Sequence, residues 1–77
     1  MGKIIAEISR AGLTRTQINT LINDWIFSAR DRKILRMKLL DGMTYEQIAE
    51  DLRPQMSPRQ VKRIVARCVE NNIIKHM

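Results

Sequence analysis

What the chain has little of sets the first limits. It holds one cysteine, Cys68, and one histidine, His76. A lone cysteine forms no intramolecular disulfide, so the fold must stand without covalent staples, and a reducing, cytoplasmic setting is the expectation. One Cys and one His also set aside a protein-only zinc site, which needs about four such ligands. His76 finds no nucleophile and orienting group to complete a catalytic set, and no Gly-rich phosphate loop is present. Glu46, Glu50 and Asp51 read as a solvated helix face, so neither an enzyme nor a cofactor is predicted. Aromatics are limited to Trp25, Phe27 and Tyr45. The core must therefore be built from Ile, Leu, Val and Met. Trp25 and Phe27 are expected inside it, because so small a domain has few large side chains available. No apolar run approaches the roughly 18 residues of a membrane span, and the N-terminus carries no signal-peptide pattern. No membrane partner is expected.

The 77 residues are 44% hydrophobic and 29% charged, the balance of a globular chain. This length suits one small domain near the lower limit for a single apolar core. Net charge is +6, and the pI of about 10.3 is in the range of nucleic-acid binders. The charge is unevenly placed: residues 1–27 carry a net +1 and residues 28–77 a net +5. The reading is one domain over 1–77, with N-terminal helices in 1–27 and a strongly basic core in 28–77.

Taken in order, Lys3 to Ala11 places Ile4, Ile5 and Ile8 at helical spacing, with Gly12 as a left-handed stop. Thr14 and Gln17 then form a capping box, in which hydroxyl and amide each satisfy an orphan backbone N–H, and Leu13 with Ile18 makes the hydrophobic staple. Ile18, Leu21, Ile22, Trp25 and Ile26 continue one apolar face to about Phe27. Ser28 to Asp31 is a looser cap, with Asp31 in the place of Gln. The helix it opens is expected to bury Ile34, Leu35 and Leu39, with Met37 and Leu40 as further candidates, and to expose Arg30, Arg32, Lys33, Arg36 and Lys38. That basic run reads equally as a solvated face or a phosphate-facing one. Gly42 closes the helix.

Two more capping boxes follow, Thr44 with Gln47 and Ser57 with Gln60, flanked by the staple pairs Met43–Ile48 and Met56–Val61. Pro58 falls at the first helical position, where its missing N–H costs nothing. The first of these helices buries Ile48, Ala49 and Leu52. The small Ala49 suits a close crossing by the next helix. The second buries Val61, Ile64, Val65 and Cys68 and turns Arg59, Gln60, Lys62, Arg63, Ala66 and Arg67 outward. This is the outline of a helix-turn-helix with a basic second helix running to about Asn71. Ile73 and Ile74 either tuck back onto the core or extend the helix. The fold class is all-α, four to five short helices with a C-terminal helix-turn-helix.

The stretch RDRKILRMKLLDGMTYEQIAEDL, followed by MSPRQVKRIV, resembles the fourth region of primary bacterial sigma factors and the related helix-turn-helix of response regulators. The upstream LINDWIFSARDRKIL is similar to small sigma-like regulators encoded by phages and prophages. In these families an Arg/Glu-rich helix leads into Gly-(Leu/Met)-Thr-x-x-Glu-Ile-Ala and then a recognition helix with Val-(Lys/Arg). Two departures stand out. Leu52 to Met56 is longer than the family's turn and lacks its glycine, and Arg59 stands where sigma factors often carry an acidic residue. The chain also has no room for the regions that melt promoters.

The resemblance implies double-stranded DNA binding, sequence-specific or semi-specific, in transcription regulation, with the helix from Ser57 to about Asn71 in the major groove. Arg59, Lys62 and Arg63 are the candidate base contacts, because guanidinium and ammonium groups suit guanine O6 and N7. Thr44, Tyr45, Arg53, Ser57, Gln60 and Arg67 are the candidate backbone contacts. Tight specific binding by so small a unit calls for a homodimer or for a partner such as RNA polymerase. The rival readings are a protein–protein adaptor docking on polymerase or another regulator, and a phage DNA-packaging subunit.

Overall fold

The computed structural model describes residues 11–76. The helix expected from Lys3 onward lies outside them. Within them the chain forms four α-helices: α1 (Arg15–Trp25), α2 (Ala29–Leu39), α3 (Tyr45–Asp51) and α4 (Pro58–Cys68). A π-helical turn (Val69–Ile73) and a 3-10 turn (Ile74–His76) follow, and no strand is present among the described residues. The chain is all-α.

Local chemistry sets the helix starts. Thr14, Thr44 and Ser57 each accept the backbone N–H of the glutamine three residues on, and each glutamine side chain accepts the cap residue's own N–H. Ser28 accepts from the Asp31 N–H at 3.4 Å, but Asp31 does not complete the box. Its carboxylate turns into the protein instead, and the residue is only 8% exposed. The helix stops differ more. Gly42, after α2, takes a left-handed φ of 68°, as a helix stop of this kind requires; Gly12, ahead of α1, has φ 69°. After α2 the Asp41 N–H reaches the Arg36 carbonyl and the Met43 N–H reaches that of Met37, each at 3.1 Å.

α1 lies antiparallel to α2, pinned by polar contacts along its length. Arg15 Nη1 donates to the Leu40 carbonyl at 2.5 Å, Arg36 Nε to Asn19 Oδ1 at 2.9 Å, and Arg32 Nε to the Ile26 carbonyl at 2.5 Å. Arg36 Nη2 also donates to Asn23 Oδ1. Lys38 donates to the Met43 carbonyl at 3.3 Å and lies 4.3 Å from the Tyr45 ring centroid. The basic run is therefore neither a bare solvated face nor a uniform phosphate-facing one. Arg32, Arg36 and Lys38 are half-buried, and they brace α2 against its neighbours.

The core is aliphatic. Ile18, Ile22 and Ile26 meet Ile34, Leu35 and Met37 of α2, Ile48, Ala49 and Leu52 around α3, and Val61, Ile64, Val65 and Cys68 of α4. Leu39 and Leu40 pack at its margin, half-buried. Leu13, Met43 and Met56, the outer members of the three staples, also pack against it. Trp25 and Phe27 correct the expectation that both aromatics lie inside: they are 39% and 79% exposed. The reason is a change of period. α1 ends at Trp25, before Phe27, and Ile26 is extended at φ −111°, ψ 112°. In extended chain successive side chains alternate, so burying Ile26 turns Phe27 away.

The C-terminus resolves the choice left open for Ile73. In a continuous α-helix, at about 100° per residue, Ile73 would stand roughly 120° from Val61, off the buried stripe. The wider π turn, marked by the Ile74 N–H reaching the Val69 carbonyl, advances less per residue. Ile73 is thereby returned to the core and is fully buried, while Ile74 is half-buried.

Candidate nucleic-acid interface

α3 and α4 pack directly on each other, and Ala49 is 2% exposed. The five residues from Leu52 to Met56 join them. Leu52 is buried and Met56 half-buried, so both ends of the turn are anchored in the core. Leu52 is extended at ψ 144°, and the Arg53–Pro54 peptide is cis.

α4 is amphipathic along its whole length. Val61 and Val65 are fully buried, and Ile64 and Cys68 nearly so. Arg59, Gln60, Lys62, Arg63 and Arg67 are all exposed. At about 100° per residue, Arg59 and Arg63 fall within about 40° of each other on the face opposite the stripe. None of the ion pairs among the described residues uses Arg59, Lys62 or Arg63: those pairs are Arg15–Asp41, Arg30–Asp31 and Lys33–Asp51. The first acidic residue after α4 begins is Glu70. The exposed face is thus cationic from its first turn to its last.

The other candidates divide by what their polar atoms already do. Thr44 Oγ1 accepts the Gln47 N–H at 3.1 Å, which leaves its hydrogen to donate. The Ser57 hydroxyl accepts from the Gln60 N–H and contacts Gln60 Oε1 at 3.3 Å, so both of its roles are filled. Gln60 Oε1 also accepts the Ser57 N–H at 3.1 Å. Bidentate reading of adenine needs both the oxygen and the nitrogen of a glutamine, so Gln60 would have to open the cap to do it. Tyr45 is half-buried under Lys38, and loss of water raises its phenol pKa above the ordinary 10. Arg53 is exposed, but its Nη1 is turned back on the protein, donating to the Glu50 carbonyl at 2.5 Å and the Leu52 carbonyl at 2.7 Å.

Asp31, read in the sequence only as a cap partner, proves to be a buried charge. It accepts from Arg30 Nε at 3.2 Å and faces the Cys68 thiol, Sγ to Oδ2 at 3.9 Å. This ties the start of α2 to the end of α4. Burial pushes the Cys68 pKa up, the Asp31 charge adds to that, and Arg67 opposes it. The one available signal was an acidic residue in the first turn of an otherwise basic helix, where the helix dipole favours negative charge.

The sequence profile of the family described as Sigma-70, region 4 matches residues 28–69. The chain belongs to the sigma-70 region 4 family. The match takes in the whole of α2, α3, α4 and the turn, including every candidate contact from Thr44 to Arg67. Region 4 is a DNA-binding helix-turn-helix domain that acts in transcription and contacts RNA polymerase. No curated protein and no solved structure matches the chain significantly. α1 and the C-terminal 3-10 turn lie outside the region 4 match, and His76 of one stacks on Trp25 of the other. No helix among the described residues is long and apolar enough to cross a membrane.

Proposed function

We propose that this region 4 domain binds double-stranded DNA by laying α4 in the major groove, as a cytoplasmic regulator of transcription. The observation that carries the reading is the exposed cationic face of Arg59, Lys62, Arg63 and Arg67, backed by a buried stripe that leaves α4 one way to face. Arg59 and Arg63, one turn apart, donate to guanine O6 and N7, and Lys62 shares that work. Each good bidentate contact discriminates by about 1–3 kcal/mol. Thr44, through its spare hydroxyl hydrogen, and Arg67 hold the phosphates. Tyr45 offers its backbone N–H at the start of α3 to a phosphate, and Ser57 and Gln60, whose own N–H groups are held in the capping box, fix the start of α4.

A unit of this size makes few phosphate contacts, so its affinity falls steeply with salt. Tight specific binding then comes from RNA polymerase held at the same promoter, or from a second copy of the chain. A second reading is a protein adaptor, in which a partner would cover the exposed Phe27.

Fluorescence anisotropy with mixed-sequence duplex at two salt concentrations tests the first reading. Binding that weakens with salt, and is lost in Arg59→Ala plus Arg63→Ala, is the expected result. No salt-dependent binding below about 100 mM would sink it, given the slope that counterion release imposes.

A further inference from the structure

The turn between α3 and α4 closes without the residue that usually closes such turns. A glycine in left-handed conformation lets the chain fold back and satisfy the last helical carbonyls. Among the described residues positive φ occurs only at Gly12 and Gly42, so nothing between Leu52 and Met56 does this. α3 is only seven residues long, and Leu52 leaves it in extended conformation after giving its N–H to the Ile48 carbonyl. The carbonyls that follow Ile48 are the orphans of this helix end. Arg53 reaches two of the backbone acceptors here with one nitrogen, Glu50 O at 2.5 Å and Leu52 O at 2.7 Å.

We infer that Arg53 is a positioning residue for the recognition helix: its guanidinium takes the place of the missing glycine and sets the angle between α3 and α4. The chain leaves α3 at Leu52, in extended conformation and with its side chain buried, and Glu50 O and Leu52 O flank that exit. Arg53 holds both, and the chain then runs three residues to Ser57, the cap of α4. Arginine suits the task because its planar guanidinium fixes the directions of the two hydrogens on Nη1, one for each carbonyl, whereas lysine offers a point charge on a flexible stem. This moves Arg53 from the phosphate contacts to the machinery that aims α4, and it rests on the DNA-binding reading for its functional consequence.

The experiment separates the two roles. Residual dipolar couplings of the free protein report the α3–α4 angle directly, without DNA, and thermal melts report whether each variant is folded. Arg53→Ala and Arg53→Lys are both expected to change the couplings of α4 relative to α3 while those of α1 and α2 stay together. With DNA, affinities are compared for mixed-sequence duplex and for a duplex enriched from a random pool by the native protein. Arg53→Ala is expected to reduce the preference for the enriched duplex at least fivefold with the salt slope unchanged, and Arg53→Lys is expected not to restore it. An unchanged α3–α4 angle overturns the inference. So does uniform weakening on both duplexes with a slope smaller by about one, rescued by Arg53→Lys, which is the signature of a phosphate contact. If the native protein binds no DNA, the DNA reading fails while the couplings still decide the role of Arg53 in the turn.

Discussion

Trp25 and His76 stack face to face, their ring centroids 3.5 Å apart and their planes 3° from parallel. The pair joins the last residue of α1 to the final 3-10 turn, and neither residue falls within the region 4 match. The flanks of the helix-turn-helix thus close on each other, which explains how Trp25 finds a partner while lying at the surface. His76→Ala should shift the Trp25 emission and cost about 0.5–1.5 kcal/mol, the contribution of an aromatic pair beyond its area. An unaltered emission spectrum would mean that the rings do not meet in solution.

The reversal of Ile26 and Phe27 makes a sharp contrast. Ile26 is 2% exposed and Phe27 79%. Ile26→Ala should lower stability by about 2–5 kcal/mol, as a cavity in a packed core does. Phe27→Ser should change it by less than about 0.5 kcal/mol, as exposed sites do. Urea unfolding of the two variants checks this. Equal losses would place the Phe27 ring in the core after all.

Gly42 carries φ of +68°, and a methyl group there would meet nothing within 4 Å. The cost of Gly42→Ala is then backbone strain alone, about 1–2 kcal/mol for an L-residue in left-handed conformation. A fall in Tm without loss of helical circular dichroism is the expected outcome.

Stability should decline at alkaline pH for a stated reason. Burial first, and the Asp31 charge second, raise the Cys68 pKa above its ordinary value of 9, and burial raises that of Tyr45 above 10. A folded-state pKa above the unfolded value gives stability that is fully present below the unfolded value. It is lost as pH rises past that value and through the folded one. Unfolding free energy should therefore be flat in this respect at neutral pH and fall above about pH 9, the ordinary thiol range. Cys68→Ala should be less sensitive to alkali over that interval. Chemical denaturation at pH 7 and pH 10 measures both.

On α4, Arg63 and Arg67 should fail differently. Arg67→Ala should weaken all duplexes alike and reduce the salt slope by about 0.9, the share of one phosphate. Arg63→Ala should lower the preference for an enriched sequence by about 1–3 kcal/mol. Anisotropy titrations across a salt series distinguish them, and identical profiles would mean that α4 is not oriented as proposed.

Much of this was local and therefore legible in the sequence. Thr14, Thr44 and Ser57 announce their helices because a cap and its glutamine are three residues apart and need nothing else in the protein. Ile48, Val61 and Val65 are readable as core because helical period alone puts them on one face, and the cationic face of α4 follows from the same period. Other outcomes depended on partners far along the chain. Arg36 is a brace because Asn19 and Asn23 lie across from it, and Asp31 is buried because Cys68 arrives beside it from the end of α4. Trp25 and Phe27 lie outside because the path of α1 into α2 required Ile26 inside. Arg53 was read as a side chain free for phosphate; the carbonyls it reaches, those of Glu50 and Leu52, are only three and one residues away, and it was the backbone path at Leu52 that the sequence pattern did not reveal. The sequence by itself determined where the helices start and which face of each is apolar, since both are properties of a few neighbouring residues. The tertiary structure decided which charges are available and at what angle α4 is presented, because those depend on groups that only folding brings together.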